Sequence, residues 1–589
     1  MLKQNTNRIL LSFLILSFAA GILLATISSR AQERADLHIG LPQDWSTRHI
    51  LFTNGASPEI AAAAARDPRS WLQWARRSGF LFYRPWPRPE LPFRPRRQMR
   101  VDWAMSLGAN GGMPIGETPA KYSFNTVGYS CANDFVVFVI GATPSATQAN
   151  IVAFNNLYTG TSSSSCPNGP QTPPTTNLTQ PTVMWSYEVG TGPVNLSPVL
   201  SLTGSQVAFI ESASATDAMF DVLTWVSGQG TSATAPATPG SGGSSIVRLD
   251  YTNTTVTGCT ANKSGNNNSS PYIDYGSNSA YVGANNGELY RISGVFNGTP
   301  AVQYCITVNA GTDLTSPVYD SVTNSVFVSD GHSVYAYTPG PSGFTKVASI
   351  AVADAAVAGT PIILSPIVDS TNGFVYVFSS ADATDAHSIV SQLNVGLTTQ
   401  TVADIGLPAS QFMLDGDFDN AYYTSGPTTG AGTLYACGTQ ANNGAKPSLY
   451  ALSFSSPNGL LNTTPAVSDN RNINGAANPN GSCSPLLDFY DGTNDRLFVG
   501  TGNYNGTTGA NLVTEWTVNA RIASNTTAPN NTATNEWGGT SAFTIDNVSP
   551  DPQTSSIYFG TLHAPPTGNT TPCGAGNFCA VKLTQSALQ

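Results

Sequence analysis

The chain has 589 residues, with 55 glycines, 40 prolines and 40% hydrophobic residues, and only 10% of it is charged. That length exceeds one ordinary compact core and calls for either three small domains or one large repeat architecture. Charge so far below the usual share of about 25% excludes a coiled coil and a charge-rich disordered chain.

The net charge of −10 is unevenly divided: residues 1–100 carry +9 and residues 101–589 carry −19. An acidic body repels phosphate backbones, so no nucleic-acid partner is expected.

At the N-terminus, Lys3 and Arg8 precede an apolar run from Ile9 to Ile27, and Ser29-Arg30-Ala31 offers small residues around a cleavage point. This predicts a secretory signal over 1–31. The run is also just long enough to span a bilayer, so an uncleaved anchor is the alternative, and only then would the chain contact a membrane. The first cysteine is Cys131, which argues against lipid attachment.

Residues 32–100 form a basic extension. Ser57-Pro58-Glu59 has the chemistry of a helix start, and Asp67-Pro68 restarts a helix that would set Trp71, Leu72, Trp74 and Ala75 on one side. Gly79 would end it. From Arg84 to Arg100 the sequence RPWPRPELPFRPRRQMR favours an extended, polyproline-like arm. Such an arm could wrap its own acidic body, exchange onto a second copy in self-assembly, or meet an anionic lipid or cell-wall polymer.

Beyond residue 100 one phrase recurs: Ser-Pro, two apolar residues, often Asp, a polar turn, then alternating apolar residues. It begins at Ser197, Ser270, Ser316, Ser365 and Ser484, with weaker copies at Ser130, Met413 and Ser541. Proline starts a strand because it cannot donate to a ladder, and the Asp with its Gly/Asn/Ser neighbours supplies a hairpin. Residues such as Val326-Phe327-Val328 would alternate faces as a half-buried strand. Further strands follow in Glu288–Arg291 and Ser333–Ala336, and Val183–Val189 leads into the next phrase.

Four strands per unit at roughly 46–73-residue spacing predict an all-β fold, a β-propeller occupying 101–589 after a short helical and Pro/Arg-rich extension. Eight copies imply eight blades, or seven if the weak terminal copies share one; a pair of β-sandwiches is the rival. Closure is expected between Lys121–Phe124 and Cys579–Leu583. Polar inserts at 160–181, 227–245, 456–482 and 519–540 are read as flexible surface loops able to carry recognition.

Eight cysteines in an exported chain favour disulfides. Sequential pairing gives Cys131–Cys166, Cys259–Cys305, Cys437–Cys483 and Cys573–Cys579, and two of these loops share a separation of 46 residues. Among carboxylates, Asp415, Asp417 and Asp419 alternate; on a strand they would share one face and need a cation, for which calcium is the candidate. The alternative is a solvated turn between blades. Asp488, Asp491 and Asp495 form a similar, weaker group. His38, His49, His332, His387 and His563 are scattered, with no zinc-site spacing, nucleophile elbow or phosphate loop.

The Ser-Pro-x-x-Asp phrase resembles the repeats of the quinoprotein-dehydrogenase-like (PQQ-repeat-like) β-propeller superfamily across residues 120–589, including outer-membrane assembly propellers and exported bacterial propellers. The resemblance implies architecture rather than activity. Adjacent cysteines, common in the quinone-dependent enzymes, are absent, and only Trp185, Trp225, Trp516 and Trp537 lie within the repeats. The resulting expectation is a secreted, periplasmic or cell-surface propeller. It would act as a non-catalytic binding or assembly module for a protein or glycan. The alternative is a quinone-dependent dehydrogenase-like or polysaccharide-acting enzyme using central carboxylates.

Overall fold

Every copy of the repeated phrase falls in a different antiparallel sheet, and eight such sheets close into a β-propeller. The computed structural model describes residues 40–53, 57–77, 100–124, 129–158, 166, 180–260, 262–266, 268–357, 359–407, 413–440, 446–469, 482–490, 493–502, 510–522, 529–546, 556–564 and 573–584. The signal segment, the stretch 84–99 of the Pro/Arg arm, His38, Gly79 and Asp491 lie outside them. No described helix is long and apolar enough to cross a membrane.

The inner strands of blades 1–8 are Ala120–Ser123, Val199–Leu200, Tyr272–Asp274, Val318–Asp320, Ile367–Asp369, Asp417–Phe418, Leu487–Tyr490 and Thr544–Asp546. In blades 3, 4 and 5 the hairpin behind the inner strand follows from sequence chemistry. Asp274, Asp320 and Asp369 accept the backbone N–H groups of Gly276, Val322 and Thr371, each at 3.0 Å. Four residues after each Asp, Asn278, Asn324 and Gly373 adopt φ of 50°, 50° and 74°, the left-handed turn these residues tolerate.

The second strands differ from expectation. Ser325–Ser329 is buried at all five positions rather than alternately, because neighbouring blades cover both faces. Alternation survives on the outer strand Phe344–Ala351. Blade 6 departs further: after its inner strand the chain forms a short helix, Asn420–Ser425, capped by Asp419 and ended at Gly426.

Closure also differs from expectation. The C-terminal strand Phe578–Thr584 pairs with β3 (Arg100–Gly108), which becomes the outermost strand of blade 8. Lys121–Ser123 instead stays in blade 1, between Phe135–Val139 and an added N-terminal strand. The insert 227–245 is no free loop. Ser186 N–H donates to Gln229 O at 2.8 Å and Ala237 N–H to Ser186 O at 2.9 Å, covering the outer edge of blade 1.

All four sequential disulfides are present, with Cα–Cα distances of 5.6, 5.2, 6.1 and 5.8 Å in chain order, and no cysteine is free.

Candidate functional site

The N-terminal extension determines what lies at the middle of the ring. Strand β1 (Leu41–Gln43) pairs with the inner strand of blade 1, and β2 (Ile50–Leu51) runs parallel to the inner strand of blade 5. Blades 1 and 5 face each other across an eight-bladed ring, so the residues between β1 and β2 must cross its axis. They do so as a tight 3-10 turn, Trp45–Arg48. Asp44 caps it, accepting Ser46 N–H at 3.2 Å and Ser46 Oγ–H at 2.6 Å.

This crossing segment is fastened on every side. Trp45 Nε1–H donates to Pro271 O at 3.2 Å. His49 Nδ1 lies 2.8 Å from Ser365 Oγ and 3.3 Å from Pro366 O. Arg48 donates to Leu486 O and lies 3.8 Å from Asp415 and 3.9 Å from Asp417. Helices α1 (Pro58–Ala64) and α2 (Pro68–Arg77) follow.

The buried face of α2 is not the apolar one the sequence suggests. Arg69, Leu72 and Gln73 are buried while Trp74 is 40% exposed. The polar pair is buried because it holds the crossing segment, Arg69 donating to Ser46 Oγ at 3.2 Å and Gln73 Nε2–H to Thr47 O at 3.4 Å. Gln73 accepts Phe52 N–H at 2.9 Å, and Arg69 donates to Ile273 O at 2.7 Å while stacking 4.3 Å from the Tyr272 ring.

Under the crossing segment is a cavity of about 20 Å³, room for roughly one water. Blades 1 to 7 each bring their first residues to it: Glu117 and Thr118, then Ser197, Ser270, Ser316, Ser365, Asp415 and Pro485. Blade 8 joins through Ala542 N–H, which donates to Glu117 O at 2.9 Å.

The serines of the Ser-Pro phrase form a collar. Thr118 N–H donates to Ser197 Oγ at 2.8 Å, Ser197 N–H to Ser270 Oγ at 3.0 Å, and Ser270 N–H to Ser316 Oγ at 2.7 Å. Glu117 accepts Ser197 N–H at 2.6 Å, Ser197 Oγ–H at 2.5 Å and Ser270 Oγ–H at 3.1 Å. The Ser that precedes each Pro in the repeated phrase is the sequence signal for this collar.

Burial controls the ionisation here. Glu117 is pushed up to about 7 by desolvation, against the lowering effect of its serine donors. His49 is held down at about 3, chiefly by burial and then by the charge of Arg48, so its imidazole is neutral. Asp415 rises to about 7 because burial outweighs Arg48.

Of the three alternating aspartates, Asp415 and Asp417 both approach Arg48, whereas Asp419 is turned to backbone donors. Asp415 faces the axial cavity and Arg48. Asp417 accepts Asp488 N–H at 2.8 Å. Asp419 accepts Tyr422 N–H at 2.9 Å and Thr433 N–H at 3.0 Å. Among the described residues no three His, Cys, Asp or Glu side chains converge to hold one metal ion. Asp488 and Asp495 lie close enough that each perturbs the other's ionisation, with desolvation the larger cause for both.

On the face beside α2 lies a groove of about 200 Å³. Its walls include Arg66, Asp67, Tyr272, Asp274, Tyr319 and Ser321. Aromatic sides with both charge signs suit a polar, uncharged or zwitterionic ligand segment.

No family model matches this chain, and no curated protein matches it. Among solved structures it is similar to BamB from Moraxella catarrhalis (10% identity, TM-score 0.41) and Sqt1 from Saccharomyces cerevisiae (10%, 0.44), each match covering 82% of this chain and 99% of the other. The WD40 β-propeller domain of Doa1 matches with 11% identity, covering 68% of this chain and 94% of the other, at a TM-score of 0.32. At these values the likeness adds nothing to what the strand pairing already shows. The resemblance to quinoprotein-like repeats stays at the level of the β-propeller.

Proposed function

We propose that this chain is an exported, non-catalytic β-propeller that binds a protein or glycan partner at the cell surface or outside the cell. The observation that carries the reading is the crossing of the axis by residues 44–49. The cavity beneath it holds about 20 Å³, too small for a sugar ring or a quinone, and the reading gives recognition to the faces and loops. Four disulfides support an oxidising compartment. The groove beside α2 is the contact surface this reading favours.

Purified protein applied to glycan and peptide arrays tests the reading. A hit that Arg66→Glu with Tyr319→Ala abolishes, at unchanged melting temperature, supports it. Dye reduction on adding pyrroloquinoline quinone and calcium, or release of sugar from a polysaccharide, overturns its non-catalytic half. Self-assembly through the arm is part of the same proposal. Deleting residues 32–100 would remove the axial segment, so the comparison is the native chain against one with Arg84, Arg88, Arg94, Arg96 and Arg97 changed to serine, sized by light scattering.

A further inference from the structure

We propose that the closing seam of the ring carries an intramolecular isopeptide bond between the side chains of Lys582 and Asp102, formed with loss of water. It would tie the outermost strand of blade 8 to the C-terminal strand covalently, and it is independent of what the propeller binds.

The seam holds a buried cluster of charge. Asp102, Lys121, Asp134, Asp546 and Lys582 are each 0% exposed. Lys582 lies on the C-terminal strand and Asp102 in the β3 bulge between Val101 and Trp103, residues paired with Leu583 and Lys582. The Lys582 Nζ–Asp102 Oδ2 distance is 3.2 Å. Across the seam, Lys121 Nζ lies 3.0 Å from Asp546 Oδ1. Tyr158 O–H donates to Asp134 at 2.6 Å, and Tyr558 O–H to Asp546 at 3.2 Å.

The two lysines are not equivalent. Lys121 donates to Ser123 Oγ, to Tyr158 Oη at 3.4 Å and to Asp546, a full set of acceptors for an ammonium. Lys582 donates to Leu157 O at 3.0 Å and faces Asp102, with the Tyr158 ring 5.7 Å away. Burial lowers its ammonium, and Lys121 pushes it the same way against the pull of Asp102 and Asp546. Holding an ion pair out of water costs several kcal/mol per ion, a cost that the neutral amine–carboxylic acid form, the one able to condense, avoids.

From that form the condensation is balanced and redox-neutral. The Lys582 ammonium gives a proton to the Asp102 carboxylate. The free amine attacks Asp102 Cγ, a C–N bond forms, the C–OH bond breaks, and the hydroxyl leaves with an amine proton as water. Fixed neighbours at hydrogen-bond distance supply the effective concentration such a step needs.

The test is intact mass of the reduced, denatured wild-type chain, with its N-terminus identified by sequencing. The expected mass lies about 18 Da below that of the sequence, with a branched peptide joining the segments that contain Asp102 and Lys582. Lys582→Arg keeps the charge, folds, and shows the full sequence mass. A wild-type chain at the full mass, or a water loss that maps to Lys121 and Asp546, overturns the assignment.

Discussion

Replacing Glu117 by Gln removes one ionisable group from the axis while keeping its size and an oxygen for the Ser197 and Ser270 donors. In the folded protein Glu117 is raised from an ordinary 4.5 to about 7 by burial. A raised carboxyl binds protons more tightly folded than unfolded. Its contribution is therefore fully present below about pH 4.5 and is lost as pH climbs to about 7. At 1.36 kcal/mol per pKa unit the loss is about 3 kcal/mol. Asp415, Asp419 and Asp495 are also raised, so the wild-type profile is a sum, and only its difference from the Gln variant isolates Glu117. Urea unfolding at pH 4.5 and pH 8, followed by tryptophan fluorescence and far-UV circular dichroism, measures it. Between those pH values the stability gap should move by about 3 kcal/mol in favour of the variant. Parallel profiles would refute the claim that this carboxyl is desolvated at the axis.

Trp45→Ala empties the space beside the collar and removes the bond to Pro271 O, so unfolding free energy should fall by about 3–5 kcal/mol in the same melts. A cost below about 1 kcal/mol would mean the crossing segment is a loose lid. Changing Cys259 and Cys305 together to Ser opens a loop of 46-residue separation and should cost about 4 kcal/mol, read as a lower urea midpoint. Melting in EDTA should match melting in calcium, because Arg48 already pairs with both Asp415 and Asp417, and Asp419 is engaged by the backbone N–H groups of Tyr422 and Thr433. A calcium-dependent rise in melting temperature would restore a shared ion to that segment.

Hairpin chemistry was readable because it is local. Asp320 and Asn324 make the same turn wherever their strand is placed. Cysteine order was readable for a related reason, since each bridge closes within one blade or between neighbours along the chain. The axial site was not. Nothing near Trp45, Arg48 or His49 in sequence marks them as central, because their partners Pro271, Leu486 and Ser365 are hundreds of residues away. The inward turn of Arg69 and Gln73 reverses the apolar pattern of α2 for the same reason.

Composition, the repeated phrase and its hairpin residues pointed by themselves to an all-β ring of seven or eight repeated sheets with an added N-terminal segment, and strand pairing fixed the number at eight. Only tertiary structure decided that this segment spans the ring from blade 1 to blade 5, that β3 rather than Lys121–Ser123 closes it, and that five charged groups are buried together at the seam. The physical reason is range. Turn and strand preferences act over a few residues, whereas the partners that satisfy a buried charge or complete a sheet edge are chosen by the closed geometry of the whole chain.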